Sequence, residues 1–260
     1  YMEAQRRIEL QQQLGLIKSK LHEDLRLAMP GSIRFVQVGN RYYIEYLEVR
    51  ATARLRQQNG GAPFCAPSPP PLACRARNAL AGACQDDCAT TVGPAQSSIV
   101  GVPPAINDFL AVPWRGNVAS PNQPMPYTFP PNGTLSRLTA WTPRANDVGF
   151  RFQPNAFALK PVGWDTARMY VISQPVTYEC NEVTGMLTKY WGYPISTLQQ
   201  TPPVAPNTAV LSDSITRCPV NVVTQGLRQT VAWRIALSRT LAGQPIETVE
   251  SLIQIGVREP

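Results

Sequence analysis

A chain of 260 residues, 43% of them hydrophobic, is long enough to bury a sizeable core. No stretch of the sequence is apolar enough to cross a membrane, and the basic residues behind the net charge of +7 are scattered, which disfavours a nucleic-acid-binding surface. The chain opens on Tyr1 rather than methionine, so we expect a processed or trimmed piece of a longer protein.

The first predicted element is a helix from Glu3 to Ala28, which contains no proline and is rich in good helix formers. Pro30-Gly31 predicts its end, because proline disfavours a helical conformation in the preceding residue and glycine tolerates a left-handed turn. Its apolar side chains form one stripe at helical spacing: Ile8, Leu14, Ile17, Leu21, Leu25 and Ala28. We expect the part of the stripe formed by Leu14, Ile17, Leu21 and Leu25 to be buried under a sheet of the same chain. We expect four polar side chains to stay open to solvent or to partners: Arg6, Arg7, Gln11 and Gln12.

Two β-hairpins are predicted. The β-rich runs Ser32–Val38 and Arg41–Val49 flank Gly39-Asn40, and both turn residues accept the positive φ of a tight turn. The run from Arg168 to Tyr193 is split by a second turn at Asn181–Gly185. The alternation within Arg41–Val49 leaves open which side of that strand meets the helix.

Other strands are predicted wherever β-rich runs or alternating apolar residues recur. These runs are Ser98–Val102, Asp108–Val112, Thr134–Trp141, Val148–Phe152, Phe157–Leu159, Ser214–Thr224, Leu227–Ser238 and Thr248–Arg258. A helix followed by a hairpin and a long series of antiparallel strands predicts the α+β fold class. We expect the helical segment 1–30 to pack on the antiparallel sheets of a β-rich head that covers 31–260.

The segment 57–132 has a different texture from the rest of the head. It holds more than half of the prolines and four of the six cysteines, namely Cys65, Cys74, Cys84 and Cys88. Because proline cannot donate a hydrogen bond to a sheet, we predict an irregular loop insertion. The four cysteines lack a CxxC pair and a nearby histidine, which is poor zinc-ligand spacing, so we expect two disulfides in one of three pairings.

The remaining two cysteines predict a third bridge. Cys180 ends one predicted strand and Cys218 lies in another, so a bridge between neighbouring strands is natural. Closing a loop of about 39 residues stabilises the native state by about 4 kcal/mol on the chain-entropy model. Three disulfides indicate folding in an oxidising compartment.

The sequence carries no catalytic constellation. His22 is the single histidine, which excludes most Ser-His-Asp and Cys-His mechanisms, and there is no phosphate-binding loop or dinucleotide-binding fingerprint. We therefore predict a protein that is not an enzyme and has no cofactor.

Two binding alternatives stay open at this stage. A calcium site would draw on Asp86, Asp87, Asn107 or Asp108, although the spacing of an EF-hand loop is absent. The aromatic run Tyr190–Tyr193 either stacks on surface glycans or packs in the core, and packing is the commoner role of aromatic residues in strands.

Three regions of the sequence, the first of them containing two segments, resemble minor pilins of the MshO type, from the mannose-sensitive haemagglutinin (MSHA) pilus system, which are related to PilW-like minor pilins. The first is LHEDLRLAMPGSIR at 21–34, followed by IEYLEVRATARLR at 44–56. The second and most specific is RMYVISQPVTYECNEVTGMLTKYWGY at 168–193, with Cys218 as the later partner cysteine. The third is the closing ETVESLIQIGVREP at 247–260.

This resemblance implies a pilin-like fold, with a long N-terminal helix on antiparallel sheet, and a structural subunit of a type IV pilus. Such a subunit is held in the inner membrane by a preceding segment and then joins other minor and major pilin subunits at the extracellular filament tip. There it would prime assembly and support adhesion. A J-type pseudopilin of a type II secretion system and a glycan-binding tip adhesin are the alternatives. We expect the partner interface around Ile8 and Leu10, in the first turns of the helix.

Overall fold

The computed structural model describes residues 2–54, 88–90, 95, 99–111, 127, 135–143, 145, 148–153, 168–225, 228–239 and 246–257. The helix is α1 (Met2–Arg26), and the strands are β1 (Arg34–Val38), β2 (Arg41–Arg54), β3 (Cys88–Thr90), β4 (Ile99–Gly101), β5 (Phe109–Ala111), β6 (Leu135–Pro143), β7 (Val148–Gln153), β8 (Arg168–Asn181), β9 (Met186–Trp191), β10 (Asn207–Ser212), β11 (Ile215–Arg217), β12 (Val220–Gln225), β13 (Arg228–Arg239) and β14 (Glu247–Val257). They form two compact units, Tyr1–Glu48 with Gln174–Pro260, and Val49–Ser173.

The predicted fold class, a pilin-like α+β arrangement of a long helix on a sheet, is wrong. Strands account for 60% of the described residues and helix for 15%, and the sheets are large and antiparallel. The helix has 25 residues, whereas β2 and β8 each extend over 14 residues. The strands therefore dominate the architecture, and β2 continues five residues beyond the predicted run Arg41–Val49.

The first sheet of the first unit has the strand order β1-β2-β8-β9-β10. Both predicted hairpins are confirmed. Strands β1 and β2 pair antiparallel from Arg34↔Glu45 to Val38↔Arg41, and β8 and β9 pair antiparallel from Val176↔Trp191 to Asn181↔Met186. Gly185 closes the second turn with a φ of 72°, a value that favours glycine.

The second sheet of this unit is centred on β13. Strands β11 and β12 pair with one edge of β13, and β14 pairs with the other edge along its whole length. The strands predicted at Leu227–Ser238 and Thr248–Arg258 are confirmed as β13 and β14. The alternating residues of β13 are buried as expected from a strand with one apolar face: Val231, Trp233, Ile235 and Leu237.

One hydrophobic core holds the helix and both sheets of the first unit together. The helix contributes a stripe of five buried side chains: Leu10, Leu14, Ile17, Leu21 and Leu25. The first sheet contributes residues such as Ile44, Val176 and Tyr178, and the second contributes Trp233 and Ile253. The helix is thus fixed by apolar burial, which is the main source of helix stability in folded proteins.

The second unit has its own core and strand order. Strand β4 pairs with the end of β2, while β8 pairs with β5, which is followed across the sheet by β6, β7 and β3. The predicted strands at Ser98–Val102 and Asp108–Val112 correspond to β4 and β5. Its core is formed by Ala51, Ala53, Leu110, Leu138, Val148, Phe150, Phe152, Met169 and Val171. The predicted strand Phe157–Leu159 and most of segment 57–132 lie outside the described residues.

Candidate partner-binding site on the helix

The two faces of α1 differ sharply in burial. Leu21 and Leu25 are fully buried, whereas Leu16 is 73% exposed and Ile8 is 53% exposed. At 100° per residue, the exposed apolar side chains lie on the side of the helix opposite the buried stripe. The helix therefore has one face fixed in its own core and one face available to another molecule.

Of the two residues predicted to form the partner interface, one is exposed and the other is buried. Ile8 is exposed as expected, but Leu10 is only 1% exposed and belongs to the core, so the expectation that Leu10 stays uncovered is wrong. Leu10 precedes Leu14 by four residues and Ile17 by seven, so it continues the buried stripe, which Ile8 does not. Arg6 was expected to be open to solvent, yet it too is buried.

A polar anchor fixes the C-terminal end of α1. Asp24 is buried, and it accepts hydrogen bonds from Lys189 of β9 at 2.5 Å and from the Tyr178 hydroxyl of β8. Lys20, one turn earlier, lies 3.1 Å from its other carboxylate oxygen. Burial alone would raise the pKa of Asp24, but the bonds from Lys189, Tyr178 and Lys20 together outweigh it and hold that pKa below its ordinary value.

Lys189 is enclosed by aromatic rings as well as by the Asp24 carboxylate. Its ammonium lies 5.9 Å from the ring centre of Tyr178 and 5.8 Å from that of Trp191. Cation–π attraction at such distances adds to the ion pair when the site is desolvated. Local sequence patterns could not predict this anchor, because Asp24 and Lys189 are 165 residues apart.

An open groove of about 360 Å³ runs between α1 and β10. Its lining combines apolar and charged side chains: Leu16, Ile17, Ser19, Lys20, Glu23 and Leu211. Apolar walls with charged groups at the edge are typical of sites that receive a protein side chain. The groove and the exposed side of α1 together form the candidate partner-binding site.

The opposite side of the first sheet, which we call the outer face, carries paired charges. Arg34 donates to Glu45 through Nη2 at 2.5 Å, and its Nη1 and Nη2 also donate to the carbonyls of Thr197 and Ser196. Burial raises the pKa of Glu45, against the lowering influence of Arg34. The Thr177 hydroxyl lies 3.4 Å from the second carboxylate oxygen of Glu45.

A second carboxylate on the outer face accepts hydrogen bonds from two tyrosines. The hydroxyls of Tyr43 and Tyr190 donate to Glu179 at 3.1 Å and 2.7 Å, and the Arg41 guanidinium lies 3.8 Å away. Burial, followed by the Glu179 hydrogen bond, raises the pKa of Tyr190. Each acidic group therefore faces donors, an arrangement suited to holding the sheet rather than to acid–base catalysis.

The structure describes the side chains of two of the six cysteines, Cys180 and Cys218. Cys180 and Cys218 are fully buried and joined by a disulfide with an S–S distance of 2.07 Å, as the sequence predicted. The backbone N–H of Cys218 also donates to Glu182, and Trp233 donates to the Cys218 carbonyl. The expected bridges among Cys65, Cys74, Cys84 and Cys88 fall outside the residues whose side chains are described.

The remaining candidates are the residues of the predicted calcium site and the aromatic run. Asp108 accepts the N–H of Ala105 and lies 3.5 Å from Arg50, while Asp86 and Asp87 lie outside the described residues. Within the described ranges, no group of three or more His, Cys, Asp or Glu side chains is placed to hold a metal ion. Tyr193 is buried against Thr177, and Trp191 is half-buried, so this aromatic run packs on the sheet.

Among the described residues, no helix combines the length and the apolar character needed to cross a membrane. Comparisons of the chain with protein-family models, with curated proteins and with solved structures found no match.

Proposed function

We propose that this chain is a non-enzymatic assembly subunit of a type IV pilus, a minor pilin in function, which binds sibling subunits through the exposed side of α1. The observation that supports this most is the one-sided burial of the helix. Its core stripe holds it in place, while Ile8 and Leu16 lie in solvent. Covering these apolar side chains with another protein would remove them from water, which contributes favourably to binding.

The electrostatics of the helix support the same proposal. The N-terminal half of α1 is held by ion pairs at its flanks, Arg7 with Glu247 and Glu9 with Arg239. These pairs leave the side with Ile8 and Gln12 uncovered among the described residues. A partner helix would therefore meet a surface that is already ordered, and binding would cost little conformational entropy.

The disulfide supports a location outside the cytoplasm, where pilus subunits fold and assemble. Cys180 and Cys218 are fully buried, and such bridges persist in oxidising compartments such as a periplasm. The buried carboxylates Glu45 and Glu179 are each matched to an arginine, so they do not offer the pair of unengaged acids that a carboxylate-based hydrolase requires.

The test is a pull-down of the purified chain against the pilin-like subunits encoded beside its gene. Ile8→Asp should weaken capture of a sibling about tenfold or more, because it places a charge in an apolar contact. Leu252→Asp is the matched control, since Leu252 is a 51% exposed apolar residue on β14. Capture of no sibling, or equal loss in both variants at unchanged thermal stability, would overturn the proposal.

A further inference from the structure

A second stripe, on α1 and the residue that follows it, has a symmetric sequence. Leu16, Lys20, Glu23 and Leu27 follow one another at intervals of four, three and four residues. The first three lie on one line of α1, and Leu27 continues that line in the turn after Arg26, where its N–H donates to the Asp24 carbonyl at 3.1 Å. Leu16 is 73% exposed, Leu27 is 48% exposed, and both charged residues between them are exposed. We call these four residues the self-complementary stripe. It lies beside, and not on, the line of Ile8.

The stripe matches itself when read in the opposite direction. If two copies of α1 lie antiparallel about a two-fold axis between Lys20 and Glu23, each lysine faces the glutamate of the other copy. In the same arrangement Leu16 of one copy faces Leu27 of the other, at both ends of the contact. Two apolar pairs therefore flank two opposite-charge pairs, which is the self-complementarity that a two-fold interface requires.

The groove beside α1 extends the apolar part of this contact. Leu16 and Ile17 form one wall and Leu211 of β10 forms the other. Since Leu27 of a second copy would meet Leu16, its side chain would enter the groove at this end. A groove of about 360 Å³ is large enough for a leucine side chain and its neighbours.

Lys20 can take part without leaving a buried charge unpaired. In the single chain it lies 3.1 Å from Asp24. Asp24 keeps Lys189 at 2.5 Å and the Tyr178 hydroxyl when Lys20 turns away. Lys20 is therefore not required to compensate the charge of the buried Asp24 carboxylate. Its side chain lies beside the groove.

We propose that this chain forms an antiparallel homodimer through the self-complementary stripe, with the groove between α1 and β10 receiving Leu27 of the second copy. The contact spans about three helical turns, or roughly 17 Å, so it buries less than a standard interface. The dimer is therefore weak and reversible, and it dissociates with rising salt because its centre is made of ion pairs. This inference does not depend on the proposed assembly function.

Sedimentation velocity of the purified chain over a concentration series, at low and high salt, tests the proposal. Glu23→Lys sets lysine against lysine in both central pairs, and Lys20→Glu sets glutamate against glutamate. Each variant alone should dimerise about tenfold more weakly than the parent. An equimolar mixture of the two variants should recover dimers, because the mixed pair restores both attractions. Lys18→Glu makes the same charge change on exposed helix surface away from the stripe and should leave self-association unchanged.

Lys20→Glu also places a carboxylate near Asp24, so its fold is checked by circular dichroism. Glu23→Lys does not touch Asp24 and keeps the test valid if the other variant unfolds, with Leu16→Ser as the second well-folded variant expected to weaken the dimer. A chain that remains monomeric at all concentrations would overturn the proposal, and so would a dimer indifferent to Glu23→Lys and Leu16→Ser. Sibling capture is a separate readout, so either proposal can fail without the other.

Discussion

Both sides of the first sheet contain buried residues, but the residues differ in kind. They are apolar on the side that meets the helix and include polar and charged residues on the outer face. On the side that meets the helix, Ile44, Val176 and Leu187 are buried among other apolar residues. On the outer face, Glu45 and Thr177 are buried to the same degree, and the Glu45 carboxylate is paired with the Arg34 guanidinium. Strand alternation separates the two chemistries residue by residue. Removing one methyl group from an apolar side chain lowers stability by a limited amount. Removing one partner of a buried ion pair lowers it more, because the other charge stays buried without compensation.

The largest effect is expected on the outer face. Arg34→Ala leaves Glu45 buried without its guanidinium and also removes the donors to Ser196 and Thr197, so unfolding free energy should fall by about 4 kcal/mol. Arg41→Ala is the control, because Arg41 is about half exposed and lies 3.8 Å from Glu179. Its loss should lower the unfolding free energy, measured by urea denaturation, much less than the loss of Arg34, because exposed ion pairs contribute little to stability. Equal losses in the two variants would show that burial of the pair is unimportant.

A somewhat smaller effect is expected at the helix core. Leu21 is fully buried, so Leu21→Ala should cost about 3 kcal/mol through lost burial and the cavity it leaves. Leu16→Ala, on the exposed side of the same helix, should change stability by about 0.5 kcal/mol or less. Thermal and denaturant unfolding of the two variants provide the comparison. Similar values for both would mean that α1 is not docked through its Leu21 side.

The smallest expected effect is on the pH dependence of stability, to which Asp24 and Glu45 should contribute in opposite directions. Because the folded pKa of Asp24 is lowered, its contribution is present above the unfolded pKa and is lost as pH falls through the folded pKa. Because the folded pKa of Glu45 is raised, its contribution is present below the unfolded pKa and is lost as pH rises through the folded pKa.

The direction of each pH dependence is tested by comparing the stability of a variant with that of the parent chain at each pH. The stability advantage of the parent over Asp24→Asn should shrink towards acid pH, below the usual aspartate range. Its advantage over Glu45→Gln should shrink as pH rises above the usual glutamate range. Urea denaturation series between pH 2 and pH 8, roughly the span in which carboxyl groups titrate in proteins, would reveal both trends. Parallel curves for the two variants would contradict the opposed pKa shifts.

Local signals predicted much of the element list. The Gly39-Asn40 turn and the Asn181–Gly185 turn each join strands that pair as expected, because turn chemistry acts over a few residues. The fold class was wrong because it depends on how many strands join into large antiparallel sheets and on which strands β2 and β8 pair with. That information lies in contacts between distant parts of the chain, such as Tyr43 with Glu179.

The candidate site was predicted only in part. Ile8 was expected to be exposed because the first turns of the helix were predicted to lie beyond the sheet, whereas it is exposed because it lies off the buried stripe. The burial of Leu10 could have been predicted from its spacing to Leu14 and Ile17. The Asp24–Lys189 pair could not be found this way, since a lysine in a strand and an aspartate in a helix are individually ordinary surface residues. The groove was missed because β10 supplies one of its walls.

The anchored helix also has a mechanical consequence. A pull applied at the N-terminal end of α1, along its axis, loads the buried side chains from Leu10 to Leu25 together in shear, since all of them lie on one line. The ion pairs Arg7–Glu247 and Glu9–Arg239 resist sideways peeling at the pulled end, and Asp24 with Lys189 is the last attachment at the far end. Tension along this axis must break many contacts at once, whereas a perpendicular force would break them one turn at a time.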